Sequence, residues 1–102
     1  NYEDFLVKNP DARIYMATTK AQKRYTDVKY GEDCFIMFGK ESAGIPEQIL
    51  VHNKENCIRI PMAGEIRSLN LANSVAIVLY EALRQNGFSG MSCEGQLHDL
   101  NW

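Results

Sequence analysis

Apolar stretches of strand length alternate with polar segments along the first sixty residues. Strands are predicted at residues 12–19 (ARIYMATT), 34–38 (CFIMF) and 57–60 (CIRI). The segment at 20–30 between the first two is polar and reads as a loop. A continuous apolar run such as 34–38 is typical of a strand covered on both faces, and strands of that kind have parallel neighbours.

Helical patterns lie before, between and after these strands. Asn1 can cap a short helix through about Lys8, and Pro46 suits the first turn of a second helix. A third is predicted from about Leu69 to Gln85, with Asn86-Gly87 as its end. Its apolar face consists of Leu71, Val75, Val78, Leu79 and Ala82. Because residues 75–80 are apolar nearly all round, we expect this helix to be deeply buried in an α/β fold whose mainly parallel sheet is flanked by helices.

The size and composition of the chain fit one compact unit. With 102 residues, 45% of them apolar, it can build one modest core. We expect a domain over residues 1–87 and a polar tail over 88–102. Three widely spaced cysteines indicate buried thiols in a reducing compartment rather than a disulfide framework, and no apolar run reaches the roughly 18 residues of a membrane helix. These features predict a cytoplasmic protein.

The stretch FGKESAGIP, Phe38 to Pro46, looks like a phosphate loop but lacks two of its requirements. Such a loop needs a glycine five residues before the Gly-Lys pair and a Ser or Thr after the lysine. This chain has Cys34 and Glu41 there. The ligand predicted for this loop is therefore not a triphosphate.

Three polar loops leave the predicted strands at the edge where parallel sheets bind ligands. They begin near Thr18, at Gly39 and at Pro61. Glu41 lies between two glycines, where it can bind a ligand donor, act as a base, or simply cap a turn in solvent.

Ser68 and Asn70 bracket the start of the last helix. A hydroxyl and an amide at a helix N-terminus suit a polar ligand, but helix capping is their commonest use. The two roles can coexist.

The segment after the first strand has the composition of an RNA contact or of an ordinary solvated loop. Basic side chains alternate there with rings that can stack on bases. They are Lys20, Lys23, Arg24 and Lys29, with Tyr25 and Tyr30. A net charge of -2 restricts any nucleic-acid contact to such a local patch. His52 and His98 show no metal-ligand spacing, so no metal is predicted.

Taken together, the motifs resemble those of a known enzyme class. ATTKA follows the first strand, FGKESAGIP the second, and IRIPM with RSLNLANSVAIVLYEA the third. This ordered set resembles the SPOUT, or α/β-knot, class of S-adenosylmethionine-dependent RNA methyltransferases, most closely the TrmL-type tRNA 2'-O-methyltransferases that modify the wobble nucleotide. The likeness runs from about Tyr15 to Gln85.

The resemblance implies a fold, a cofactor and site residues. The last strand and helix are expected to thread a loop as a deep trefoil knot, and three loops to cradle S-adenosylmethionine. By position, the cofactor contacts are Ala17, Gly39, Ile60, Ser68 and Leu69. Ala17 replaces the larger aliphatic residue expected there. The motif residues for catalysis are Glu41, Ser68 and Asn70.

The resemblance also implies partners and a difference from the family pattern. We expect a homodimer that binds tRNA, with Lys20, Lys23 and Arg24 as RNA contacts. By comparison with the family pattern we expect about fifty residues of the usual N-terminal part to be absent, with an arginine implicated in activating the ribose hydroxyl, and we expect no turnover by these 102 residues alone. A non-catalytic cofactor- or RNA-binding module of the same fold therefore stays open, as does methylation of another tRNA or rRNA site. A purely structural use of the motifs is the third alternative.

Overall fold

A computed structural model describes residues 1–39, 44–64 and 69–102. The predicted helices and strands of this part of the chain occur in the expected order, with one further short strand and a 3-10 turn. They are α1 (Tyr2–Lys8), β1 (Ile14–Ala17), β2 (Lys23–Arg24), β3 (Phe35–Phe38), α2 (Glu47–His52), a 3-10 turn (Lys54–Asn56), β4 (Cys57–Arg59) and α3 (Leu71–Gln85).

The four strands form one parallel sheet in the order β2-β4-β1-β3. Strand β1 is central: Ala17 lies level with Phe38 of β3 on one side and with Ile58 of β4 on the other. The predicted α/β fold with a parallel sheet flanked by helices is confirmed.

Two details of the predicted strands are wrong. The run 34–38 was expected to be covered on both faces, but β3 lies at the edge of the described sheet and Phe35 is 42% exposed. The predicted loop at 20–30 contains strand β2, which pairs with β4 through Lys23 and Arg24. Two exposed basic residues carry no apolar strand signal, and this strand exists because backbone pairing tolerates any side chain at a sheet edge.

Alternate residues of β1 enter two separate cores because successive side chains of a strand point to opposite faces. Ile14 and Met16 pack on one face with Cys57, beneath α1 and α2. Tyr15 packs on the other face with Tyr30, Ile58 and Val78 of α3. The helices α1 and α2 thus cover one side of the sheet and α3 covers the other.

Helix α3 is not deeply buried, contrary to the prediction. Val78 is fully buried, but Val75, Leu79 and Tyr80 are 36%, 45% and 53% exposed. The apolar residues of α3 indicate that its surface suits burial. They do not show that another part of the same chain covers that surface. In the described part of the chain, the sheet takes only the Val78 side of this helix.

A buried polar cluster fastens the C-terminal half of α3 to residues 28–30. The amide nitrogen of Gln85 donates to the Val28 carbonyl at 2.9 Å and to the Glu81 carboxylate at 2.8 Å, while its oxygen accepts from the Tyr30 amide at 2.9 Å. Glu81 also accepts from the Arg84 guanidinium at 2.8 Å. The hydrogen bonds from Arg84 and Gln85 lower the pKa of this carboxylate, which keeps it charged although it is buried.

The predicted end of α3 at Asn86-Gly87 is confirmed. Gly87 has a φ of 70°, and the amides of Gly87 and Phe88 donate to the carbonyls of Arg84 and Leu83. This pair of bonds is a Schellman motif, which satisfies carbonyls that the helix leaves free. Residues 88–102 are exposed and form turns, bends and chain without regular secondary structure. The division into 1–87 and 88–102 stays a prediction.

Candidate cofactor and RNA site

Three of the predicted cofactor residues meet at the carboxyl edge of the sheet. Ala17 ends β1, Gly39 follows β3 directly, and Ile60 follows β4. Because Ala17 is level with Phe38 and Ile58, Gly39 lies one residue beyond that level and Ile60 two. Ala17 and Ile60 are half-buried and pack against the α3-side core. The sheet therefore presents a partly apolar edge built from three neighbouring strands.

Gly39 is a glycine because the backbone passes too close for a side chain. A Cβ there would collide with the backbone atoms of Gly44 and Ile45. Gly44 itself has a φ of 69°, which favours glycine. The two glycines bring the base of this loop together directly after β3.

The predicted catalytic residues Glu41 and Ser68 lie in segments 40–43 and 65–68, outside the described residues. Their roles stay predictions. Leu69 is half-buried immediately before the cap of α3.

Asn70 caps the N-terminus of α3. Its side-chain oxygen accepts from the Asn73 amide at 3.3 Å, and its side chain is exposed. The capping use considered from the sequence is thus present. An exposed amide at this end remains free to meet a ligand, and its catalytic role stays a prediction.

The two predicted RNA-binding lysines are paired with carboxylates of this chain. Lys20 lies 3.0 Å from Glu47, the first residue of α2. Lys23 lies 3.3 Å from the Glu55 carboxylate and also donates to the Glu55 carbonyl at 2.9 Å. Both pairs are solvent-exposed, so each contributes at most about 1 kcal/mol and can exchange for another anion. The acidic partners lie 27 and 32 residues further along the chain, so no sequence pattern links them to the lysines.

Arg24 is held in a local turn with Asp27. Its guanidinium donates to the carboxylate at 3.0 Å, and the same carboxylate accepts from the Arg24 amide at 2.8 Å. These hydrogen bonds lower the pKa of Asp27 and raise that of Arg24. The guanidinium is 63% exposed and is presented to solvent in a fixed direction.

Other classes of site find little support in the described residues. Among them, no group of three metal-ligating side chains comes together, and no helix has the length and apolarity to cross a membrane. The three cysteines are free thiols; Cys57 is buried and Cys34 partly so, as expected, but Cys93 is exposed. Burial raises the pKa of the Cys34 and Cys57 thiols, which makes them poor nucleophiles.

Comparison with known proteins shows the family of this chain. The family model described as SpoU rRNA Methylase matches residues 1–80. The chain belongs to this family.

A curated relative from Escherichia coli (strain K12), a tRNA (cytidine(34)-2'-O)-methyltransferase, is 41% identical over 91 residues, which cover 88% of this chain. A solved structure concerning the 2-OH methylation of C/U34 on tRNA superposes with a TM-score of 0.79 at 32% identity, covering 86% of this chain and 57% of that one. An AdoMet-bound rRNA methyltransferase from Sinorhizobium meliloti superposes at 0.70 with 31% identity, over 82% of this chain and 33% of that one.

The chain spans only part of each of these proteins. It covers 58% of the E. coli relative, 54% of one from Listeria monocytogenes and 46% of one from Lactobacillus gasseri. The known proteins thus contain a substantial part of structure that the 102 residues do not match.

Substituting Gly39 by alanine should disrupt the base of the candidate cofactor loop. We expect Gly39→Ala to lower the free energy of unfolding by about 1–3 kcal/mol, because the new methyl group meets backbone that cannot move aside easily. Urea unfolding followed by circular dichroism measures this. The matched control is Gly31→Ala, whose Cβ would meet nothing within 4 Å. Equal stabilities of the two variants would contradict the close approach at Gly39.

Proposed function

We propose that the protein to which this chain belongs is an S-adenosylmethionine-dependent RNA methyltransferase that methylates the 2'-oxygen of the wobble nucleotide of tRNA. The observation that carries the proposal is the meeting of Ala17, Gly39 and Ile60 at one sheet edge in a chain of the SpoU family. The relatives named for cytidine 34 of tRNA support the substrate.

The residues at this edge fit the proposed cofactor. Half-buried Ala17 and Ile60 offer an apolar surface that suits a purine, and Gly39 lets the backbone of its loop come close. When bound, S-adenosylmethionine supplies an activated methyl group. Ala17, Gly39, Ile60, Ser68 and Leu69 would hold it, as expected from the resemblance.

The chemistry left to the protein is to place the ribose and accept its proton. A ribose hydroxyl is a weak acid, so its oxygen must be aligned with the methyl group and its proton removed during transfer. Glu41, Ser68 and Asn70 are the proposed residues for this task in the chain. The position of Asn70 at the exposed start of α3 supports this proposal, because a helix N-terminus favours partial negative charge on the oxygen.

The proposed assembly is a homodimer that binds tRNA through Lys20, Lys23 and Arg24. Support comes from α3, which leaves Val75, Leu79 and Tyr80 partly exposed. A second copy of the helix would remove this surface from water. Sedimentation equilibrium should give about twice the 11.6 kDa mass of one chain, and a monomer mass at all concentrations would contradict the dimer.

The proposal extends to topology and location. The family resemblance implies that the last strand and helix thread a loop as a deep trefoil knot, and tRNA modification implies a cytoplasmic protein. An experimental electron-density trace through residues 61–70 decides the first point, and fractionation of the source cells decides the second.

Calorimetric titration of S-adenosylmethionine into the chain tests the function most directly. We expect saturable binding to one site per chain, competed by the demethylated product, because three of the five proposed contacts already converge at the sheet edge. ATP serves as a control that shares the adenosine but adds the triphosphate excluded above. Absence of cofactor binding, both here and in a protein extended to the full length of the relatives, would refute the methyltransferase.

The two roles of Asn70 can be separated by two substitutions. Asn70→Ala removes both the cap and the amide, so the extended protein should lose roughly 1 kcal/mol of stability and much of its methyl transfer. Asn70→Ser keeps a capping oxygen and should restore stability while transfer stays low. Thermal melts and transfer of labelled methyl groups to tRNA measure the two effects. Full activity of Asn70→Ser would reduce Asn70 to a helix cap.

A further inference from the structure

A concave site lies near the candidate cofactor edge. It is a cleft of about 420 Å³ between residues 18–23, which follow β1, and the end of α2 with its 3-10 turn. We call it the lysine cleft. The residues used in the following argument are Lys20, Gln22, Lys23, Leu50, Val51 and Lys54. Its volume lies within the range of sites that hold a small molecule or a single nucleotide.

The wall formed by residues 18–23 is fixed to the rest of the fold at both ends. The Thr18 amide donates to the Ile58 carbonyl at 2.9 Å, directly after β1. At the other end, Lys23 pairs with β4 and its ammonium donates to the Glu55 carbonyl at 2.9 Å. Between them, Ala21 is buried against Cys57. The cleft is therefore a preformed feature rather than a gap beside a loose loop.

The chemistry of the cleft combines an apolar floor with a positive rim. Ala21, Cys57 and partly buried Leu50 provide apolar surface at the bottom. Three lysines and one glutamate line the cleft. Glu47 and Glu55 pair with Lys20 and Lys23, so the positive charge that remains on the rim is that of Lys54. This combination suits a ligand with an apolar planar part and an anionic part.

Two polar side chains of the cleft are available to such a ligand. Within the described part of the chain, Lys54 makes no ion pair, whereas Lys20 and Lys23 each have a carboxylate. The side-chain amide of Gln22 is exposed and forms no hydrogen bond to any described residue. An ammonium can bind a phosphate, and an amide can bind the donor and acceptor edge of a base.

We propose that the lysine cleft binds one nucleotide of the substrate RNA next to the nucleotide that is methylated. Lys54 would contact its phosphate, Gln22 the edge of its base, and Leu50 with Val51 the face of its base. Thr18, which lines the cleft, directly follows Ala17 of the candidate cofactor edge, although the floor of the cleft lies on the α2 side of the sheet and Ala17 packs on the α3 side. The two sites therefore come within one residue of each other at the end of β1, where a strand with its ribose at that edge would pass its neighbouring nucleotide to the cleft. The choice of RNA rests on the proposed function.

Fluorescence anisotropy with an anticodon stem-loop RNA tests the phosphate contact. We expect Lys54→Glu to weaken binding roughly three- to tenfold at 0.1 M salt and to reduce the salt dependence by about one phosphate contact. The matched control is Lys8→Glu. Like Lys54, Lys8 is exposed and pairs with no carboxylate among the described residues, and it lies at the end of α1. Equal losses in both variants would show general charge repulsion and overturn the proposal.

Removal of single bases tests whether the cleft holds a base. Gln22→Ala should weaken binding about threefold, and this loss should disappear when the RNA lacks the base at nucleotide 33 or at nucleotide 35. A loss that no abasic position removes would overturn the base contact. Tight binding of a free nucleoside monophosphate, sensitive to Lys54→Glu while RNA binding is not, would make the cleft a small-molecule site and also overturn the proposal.

Two further measurements keep the tests independent of folding and of the proposed reaction. Melting curves of all variants show whether the exposed substitutions leave the fold intact. Cofactor titration should be unchanged in Lys54→Glu and Gln22→Ala, since neither residue belongs to the candidate cofactor edge. Failure of cofactor binding in both the wild-type chain and the extended protein would refute the methyltransferase alone, whereas failure of the abasic test with normal cofactor binding would refute the cleft alone.

Discussion

The side-chain amide of Gln85 joins the C-terminal end of α3 to residues 28–30. It bonds Val28 and Tyr30 across more than fifty residues of sequence, while the buried Glu81 carboxylate holds its orientation. With fully buried Val78, this amide fixes how α3 lies on the sheet. Asn70 caps the start of α3, and Leu69, a predicted cofactor contact, directly precedes it. The geometry of one end of the helix therefore depends on a polar contact at the other.

The register of β1 with its two neighbouring strands explains why the candidate cofactor edge forms. β1 must end level with both of its neighbours for Ala17, Gly39 and Ile60 to meet, and parallel pairing sets that register. The two cores support the register from opposite faces, since Ile14 and Met16 anchor one side of β1 and Tyr15 the other. A shift of β1 by one residue would exchange these faces and bury the wrong side chains. The site is thus specified by packing well away from it.

Much of this architecture could be predicted from the sequence because local signals agree with it. Asn1, the Asn86-Gly87 pair and the apolar runs place the helices and strands to within a few residues, and the carboxyl-edge rule brings the loops together. Three features could not be predicted. Strand β2 has no apolar signal, the exposure of Leu79 depends on what covers the helix, and the carboxylates paired with Lys20 and Lys23 come from a distant helix and turn. Each depends on tertiary packing, which a local pattern does not encode.

The carboxylate partners of Lys20 and Lys23 would make the proposed contact of these lysines selective among polyanions. A phosphate that takes either lysine must displace Glu47 or Glu55, and the released carboxylate then lies beside the incoming polyanion and repels it. In the proposed RNA complex, Glu47 and Glu55 would compete with phosphates for Lys20 and Lys23. A polyanion that contacts only these lysines gains little free energy from displacing the carboxylates. An RNA that is also bound at other points can displace them. The pairs therefore raise the threshold for binding rather than simply stabilising the fold.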